Sequence, residues 1–151
     1  MSATEPLATG TLLRIDGRGA GSEELADPAA LDALLAGLAR RLEDRGDASP
    51  VRIEEADGSS HALPLDEAWL TLHAFPELGR YAFAAFSRHA LGDAELYDAV
   101  ATALRTGGAE ASVRRRAADL PREADALARR LAGERAWART RLAPLTALDG
   151  D

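Results

Sequence analysis

The leucine spacing between Asp27 and Gly46 is the feature that most constrains the fold. Leucines recur there at helical intervals, at positions 31, 34, 35, 38 and 42. Asp27 is a typical N-cap, Pro28 suits the first helical turn, and Gly46 follows the last apolar position. A helix with one apolar face must bury that face against another layer of the fold. The sequence therefore predicts an amphipathic helix that packs on a partner layer.

Short segments of strand composition on both sides of this helix predict that the partner layer is a β-sheet. The predicted strands are 11–15, 50–54, a stretch through Leu63 and Leu65, 68–74, 81–87 and 109–114. Residues 16–19 form a turn signal that is predicted to close the first strand. The Asp57-Gly58 pair predicts a hairpin between the second and third strands.

The segment 68–74 has the alternation expected of a strand. Trp69, Thr71 and His73 are predicted to share one face, and two leucines are predicted to share the other. A turn over 75–79 then separates this strand from the next one.

Two further helices complete the predicted elements. One begins at Asp93 and carries apolar residues at 96, 100 and 104, and the other begins near Pro121 and runs to about Leu142. The predicted fold is α+β, a two-layer α/β sandwich with a mainly antiparallel sheet, helices on one face and an additional C-terminal helix. It divides into a domain over 8–116, a C-terminal helical extension over 117–142 and a flexible tail over 143–151.

The composition limits the classes of function. The chain of 151 residues is 46% apolar, which suits one domain with one core. Its net charge of −7 disfavours nucleic acid as a partner. The absence of cysteine excludes thiol chemistry, so we expect no thiolate metal site. No apolar window is long enough for a membrane span, and we expect a cytoplasmic protein without a membrane partner.

The segment from Gly58 to Gly79 resembles the processing region of bacterial S-adenosylmethionine decarboxylases. In that family the region reads Glu-Ser-His, a short apolar and hydroxyl stretch, Ile-His-Thr-Trp-Pro-Glu and, one residue on, Gly. The residues that match identically or by close similarity are Glu67, Leu70, Thr71, Leu72, His73, Pro76, Glu77 and Gly79. The resemblance extends over roughly residues 8 to 116, from an opening strand at Gly10 to about Arg116, and implies the family's fold.

The resemblance also shows which parts of the family's chemistry are replaced. In the family a serine becomes a pyruvoyl group, which serves as the electron sink for decarboxylation. Ala68 stands at that position, so no pyruvoyl cofactor is expected. Trp69 replaces a family histidine, and Arg88 replaces the cysteine proton donor. Ser60 and His73 fall where the family has its processing serine and histidine.

The candidate site residues follow from these positions. The candidate catalytic residues are His73, Glu67 and Ser60, and the candidate ligand-binding residues are Trp69, His73 and Arg88. Each also has an ordinary structural interpretation: a strand histidine is often simply hydrogen-bonded, and an arginine at a strand end is often solvated. His61 and His89 are weaker candidates.

Two alternatives concern other residues of the segment. Glu67 and Glu77 could form an acid–base pair, although Glu77 follows a proline in a turn and could be solvated. A shifted cleavage site at Ser59 or Ser60 is disfavoured, because Ser60 precedes His73 by thirteen residues instead of the five required by the motif. Outside the segment, Trp137 is interpreted as the residue that docks the third helix, with an oligomer contact as the alternative.

The leading hypothesis for function is a non-catalytic S-adenosylmethionine decarboxylase-like protein, a binding or regulatory subunit related to polyamine metabolism. The resemblance implies a homodimer or a hetero-oligomer with an active homologue, and S-adenosylmethionine or an amino acid-like molecule as ligand. One alternative is a repurposed enzyme that uses His73, Glu67 and Arg88 without pyruvoyl. A weaker alternative is an active decarboxylase of spermidine biosynthesis with an unrecognised cleavage site.

Overall fold

The computed structural model describes residues 9–43, 49–89, 91–117 and 120–143. The strands are β1 (Thr9–Arg18), β2 (Val51–Glu55), β3 (Gly58–Pro64), β4 (Ala68–Phe75), β5 (Arg80–Ser87) and β6 (Gly108–Ala117). The helices are α1 (Ser22–Leu25), α2 (Pro28–Glu43), α3 (Asp93–Ala103) and α4 (Ala124–Leu142), and a 3₁₀ turn over Pro76–Leu78 joins β4 to β5.

The six strands form one sheet in the order β2-β3-β4-β5-β1-β6. Every pair of neighbouring strands is antiparallel. The register places Ser60 of β3 opposite His73 of β4, and Ala68 of β4 opposite Ser87 of β5. The α+β class and the antiparallel sheet predicted from the sequence are therefore confirmed.

One face of the sheet packs on α1, α2 and α3 and forms the main core. The leucine face of α2 and the apolar face of α3 pack against alternate residues of the strands. The fully buried residues of this core include Leu13, Ile15, Leu31, Leu35, Leu70, Leu72 and Val100. The N-cap prediction for α2 is confirmed, because Asp27 Oδ1 accepts a hydrogen bond from the Ala30 N–H at 3.3 Å. Gly46, predicted to follow the helix, lies outside the described residues, as do 144–151 of the predicted tail.

The opposite face of the sheet is covered in part by α4. Leu127 and Leu131 pack with Ala62 and Trp69, and further along the helix Ala138 and Leu142 pack with Phe75 and Ala82 of the strands. The sandwich predicted from the sequence thus holds for α1–α3, while the C-terminal helix adds a partial third layer on the other face. Among the described residues, no helix is both long and apolar enough to cross a membrane.

The predicted turn at 16–19 is wrong, because β1 continues to Arg18 and pairs with β5 on one side and β6 on the other. Gly17 is opposite Tyr81, and a Cβ at Gly17 would lie 2.1 Å from the Tyr81 ring. Glycine is therefore needed here for close packing within a strand. The chain turns only at Gly19, whose φ is 63°.

Candidate functional site

A cavity of about 540 Å³ lies between α4 and the sheet face that bears His73. Strands β1, β4, β5 and β6 form one wall, and α4 forms the other. The lining includes two tryptophans, several arginines and one carboxylate: Trp69, Trp137, Arg14, Arg116, Arg130, Arg141 and Glu134. A cavity of this size and composition suits a small organic molecule with a charged group, since small-molecule sites typically measure roughly 300–1,000 Å³.

His73 is held at the cavity by a buried hydrogen-bond chain. Its Nδ1 lies 2.7 Å from Ser60 Oγ, which also accepts a hydrogen bond of 2.9 Å from Arg135 Nη1. Since a guanidinium can only donate, the Ser60 hydroxyl is free to donate its own hydrogen to His73 Nδ1. The structure therefore brings together the two candidates, Ser60 and His73, that the sequence places thirteen residues apart.

The hydrogen-bond chain determines which proton His73 presents to the cavity. If Nδ1 accepts from Ser60, the ring proton is on Nε2, which lies 3.8 Å from Glu134 Oε1. Burial lowers the pKa of His73 and keeps the ring neutral near pH 7. In this tautomer His73 Nε2 can donate a hydrogen bond on the side of the ring that faces Glu134. It cannot accept a proton from a ligand in the cavity.

Two arginines of the cavity wall carry unpaired charges. The guanidinium groups of Arg14 on β1 and Arg116 on β6 have no hydrogen bond or ion pair with any residue in the described part of the chain. By contrast, Arg141 is bound to both carboxylate oxygens of Asp16, at 3.0 and 2.8 Å, and Arg130 is 3.1 Å from Glu134. Guanidinium groups recognise carboxylates and phosphates. Arg14 and Arg116 could therefore hold an anionic group of a ligand.

The two tryptophans give the cavity an aromatic lining. Trp69 stacks on Phe86 with 5.8 Å between the ring centroids, and Trp137 is 59% exposed beside Arg141. The interpretation of Trp137 as the residue that docks α4 is wrong. The apolar contacts of α4 come from Leu127, Leu131, Ala138 and Leu142, whereas Trp137 is mostly exposed and lines the cavity.

Ala68 lies away from this cavity. Its side chain is buried in the main core, on the face of the sheet that packs on α2 and α3. The carbonyl group of Glu67, on the peptide bond before Ala68, accepts a hydrogen bond of 3.0 Å from the Arg88 N–H. A pyruvoyl group does not fit this position, because the alanine methyl has no oxygen that could attack the Glu67 carbonyl carbon and then leave by elimination.

Glu67, Arg88 and His89 form a separate, exposed cluster where β4 begins and β5 ends. His89 Nε2 is 2.5 Å from Glu67 Oε2, and Arg88 is 4.0 Å from the other carboxylate oxygen. The hydrogen bond from His89 lowers the pKa of Glu67. Arg88 does not line the cavity. Six residues of extended chain separate Glu67 from His73, or about 20 Å, so the structure does not bring these candidates together.

Glu67 and Glu77 also lie apart. Glu77 belongs to the exposed 3₁₀ turn that follows β4, whereas Glu67 precedes the same strand. The whole length of an eight-residue strand separates the two carboxylates, which is too far for an acid–base pair on one substrate.

The residues that sequence reasoning missed are Glu134 and Arg135 of α4. Arg135 is fully buried, and it donates to the Ser59 and Ala74 carbonyl groups as well as to Ser60. The sequence spacing could have indicated this burial, because Arg135 follows Leu131 by four residues and so lies on the apolar face of the helix. An arginine on a buried stripe needs polar partners, and the sheet supplies them.

Comparisons with known proteins support the fold. No protein-family model matches the sequence, and no curated protein gives a significant match. The crystal structure of the adenosylmethionine decarboxylase from Aquifex aeolicus VF5 is similar, with a TM-score of 0.62 and 15% sequence identity, over 76% of this chain and 95% of that chain. The protein therefore has the α+β fold of an adenosylmethionine decarboxylase.

Proposed function

We propose that this protein is a non-catalytic adenosylmethionine decarboxylase-like protein that binds an amino acid-like small molecule between α4 and the sheet. The observation that carries the proposal is the cavity of about 540 Å³, whose wall holds the unpaired Arg14 and Arg116. In this role the chain responds to its ligand without converting it, as expected of a binding or regulatory subunit.

The ligand class follows from the charges around the cavity. Arg14 and Arg116 suit a carboxylate, and Glu134 on the opposite wall, which pairs with Arg130 through Oε2, suits an ammonium group through Oε1. Trp69 and Trp137 suit a planar or positively charged group, through stacking or cation–π contact. S-adenosylmethionine combines these features, and it is the first ligand to test.

The absence of self-processing is the second part of the proposal. Ala68 has no side-chain nucleophile, and its methyl group is packed in the core on the far face of the sheet from the cavity. The alternative of a repurposed enzyme requires His73, Glu67 and Arg88 to act together. Their separation along β4 argues against that enzyme.

Intact mass spectrometry tests the absence of processing. We expect one species at 15.9 kDa after purification and after a prolonged incubation at neutral pH. Two fragments, with a pyruvoyl group at the start of the second, would contradict the proposal and support an active decarboxylase.

Calorimetry tests the ligand. We expect S-adenosylmethionine to bind the intact chain, and its decarboxylated product to bind at least about tenfold more weakly, because the product lacks the carboxylate that Arg14 and Arg116 would hold.

Arg116→Ala and Arg115→Ala form a matched pair of variants. Neighbouring residues of a strand face opposite sides, so only Arg116 lines the cavity. We expect Arg116→Ala to weaken binding and Arg115→Ala to leave it unchanged. No heat of binding with the wild-type chain, or equal loss in both variants, would overturn the assignment of this ligand to the cavity.

A further inference from the structure

A second hydrogen-bonded cluster lies on the other face of the sheet, between β3 and α2. Ser59 Oγ is 2.7 Å from His61 Nε2, and His61 Nδ1 is 2.7 Å from Asp32 Oδ1. Ser59 and His61 are two residues apart on β3 and therefore share a face, while Asp32 comes from the second turn of α2. A serine, a histidine and a carboxylate are thus joined in series through the two ring nitrogens.

The chemistry of the three groups fixes the direction of the hydrogen bonds. A carboxylate only accepts, so the ring proton of His61 lies on Nδ1 and points to Asp32. Nε2 then has a lone pair, and it accepts the hydrogen bond of the Ser59 hydroxyl. This is the arrangement that activates a serine nucleophile: the histidine takes the hydroxyl proton, and the carboxylate orients the ring and stabilises its protonated form.

The surroundings of His61 keep its ring neutral, so that Nε2 has a lone pair for the Ser59 hydrogen. Burial lowers its pKa, and the charge of Arg52 acts in the same direction, whereas the hydrogen bond and charge of Asp32 oppose them. Arg52 lies 3.5 Å from the other oxygen of Asp32 and so helps to fix the carboxylate. His73 faces the opposite side of the sheet and also disfavours a charge on His61.

Ser59 borders a cleft of about 260 Å³ between the β2–β3 hairpin and the α1–α2 junction. The Ser59 residue is only 3% exposed, so the proposed site would admit only small groups to the hydroxyl. Pro28 also borders the cleft, which places the N-terminal, electropositive end of α2 near any negative charge that develops there.

The charges that line the cleft indicate which substrates it would accept. Its ionisable lining residues in the described part of the chain are all acidic: Glu54, Glu55, Asp57 and Glu77. Glu54 pairs with Arg52, and Glu55 and Asp57 pair with Arg139, so Glu77 carries the uncompensated charge among the described lining residues. This charge repels carboxylates and phosphates and attracts cations. The substrate class is therefore a small ester or amide that is neutral or positively charged.

From this geometry we infer that Ser59, His61 and Asp32 form a hydrolytic site for small acyl compounds, separate from the cavity under α4. Ser59 Oγ attacks the acyl carbonyl as its proton passes to His61 Nε2. The proton then leaves with the alcohol or amine as the acyl–oxygen or acyl–nitrogen bond breaks. Water hydrolyses the acyl-serine through the same histidine, which releases the acid and restores the hydroxyl.

A small fluorophosphonate tests the nucleophile in the full-length chain. We expect one adduct per chain by intact mass, located at Ser59 by peptide mapping. Ser59→Ala should abolish the adduct, and Ser22→Ala, which removes an exposed serine of α1, should leave the rate of labelling unchanged. No adduct in the wild-type chain, or an adduct at another residue, would overturn the inference.

Asp32→Asn tests whether the three residues act together. This variant changes a partly exposed carboxylate, and thermal unfolding would confirm that it folds. It should slow labelling by about 100-fold or more, because His61 loses the partner that fixes its tautomer. An unchanged rate would show that His61 and Ser59 are only structurally hydrogen-bonded, and it would contradict the inference.

Ester hydrolysis tests the substrate class. The chain should release product from a choline-type ester faster than from an ester of similar size that carries a carboxylate, and Ser59→Ala should remove the activity. A preference for the anionic ester, or activity that survives in Ser59→Ala, would refute the site as described.

Discussion

Arg135 joins α4 to the sheet through more polar contacts than any neighbouring side chain in the described region. Its guanidinium donates to two strand carbonyl groups, to Ser60 Oγ and to Asp57 Oδ1 at distances of 2.7 to 2.9 Å, and it lies 4.2 Å above the ring of Phe75. Asp57 also binds Arg139, whose hydrogen bond holds the pKa of Asp57 well below its ordinary value. One buried charge therefore orients the hairpin turn, the Ser60–His73 chain and the helix.

Replacing Arg135 by methionine tests this role at the residue scale. The change removes the donor to the Ser59 and Ala74 carbonyl groups and to Ser60 Oγ, while Asp57 keeps its pair with Arg139, so we expect a loss of about 3 kcal/mol in the free energy of unfolding. Urea denaturation measures the loss.

The control for Arg135→Met is Arg129→Met on the same helix, where the side chain is exposed. It should change the stability by less than about 0.5 kcal/mol. Equal effects of the two substitutions would show that the Arg135 contacts do not stabilise the fold.

At the scale of elements, α4 is held by a mixed face in which apolar and charged residues alternate along the helix. Leu131 is fully buried and packs with Leu127 and Trp69, whereas Trp137 is mostly exposed at the cavity. We therefore expect the smaller Leu131 side chain to contribute more to the stability of the fold than the larger Trp137 side chain.

Leu131→Ala and Trp137→Ala test the attachment of α4. We expect Leu131→Ala to cost about 2–5 kcal/mol, because it opens a space in a packed cluster. Trp137→Ala should cost less than about 1 kcal/mol, since it removes mainly exposed surface. Thermal unfolding of both variants measures the difference. A larger loss of stability in Trp137→Ala than in Leu131→Ala would show that Trp137 holds α4 on the sheet.

At the scale of the whole molecule, two histidines are buried on opposite faces of one sheet. Burial lowers the pKa of both His61 and His73 in the folded chain. The unfolded chain therefore binds more protons than the folded chain below about pH 6.5, the ordinary pKa of histidine. Stability is lost as the pH falls through this region, by at most about 1.4 kcal/mol per pH unit for each histidine.

Urea denaturation from about pH 7.5 to about pH 5.5 measures this loss. His73→Gln should reduce the slope by about half, since one of the two buried histidines remains. The control is His89→Gln, because the His89 side chain is 70% exposed at the end of β5. A stability that does not change over this range would contradict the neutral, buried state of both histidines.

The sequence determined the elements of this fold, because its periodic patterns report local geometry. The leucines of α2, the alternation in β4 and the Asp57-Gly58 turn each predict a structure that depends on a few neighbouring residues. The same reasoning explains the boundary errors. Gly17 has the composition of a turn, but it lies within β1 because the ring of Tyr81, distant in sequence, covers it.

The tertiary structure alone decided how the chemistry is grouped. Ser60 and His73 meet because β3 and β4 pair in one register, and Arg135 joins them from a helix that lies outside the family resemblance. The neighbouring Ser59 faces the other side of the strand and so belongs to a different cluster, with Asp32. Side-chain type and spacing can nominate such residues, but only the pairing of strands and the docking of helices place their atoms within hydrogen-bond distance.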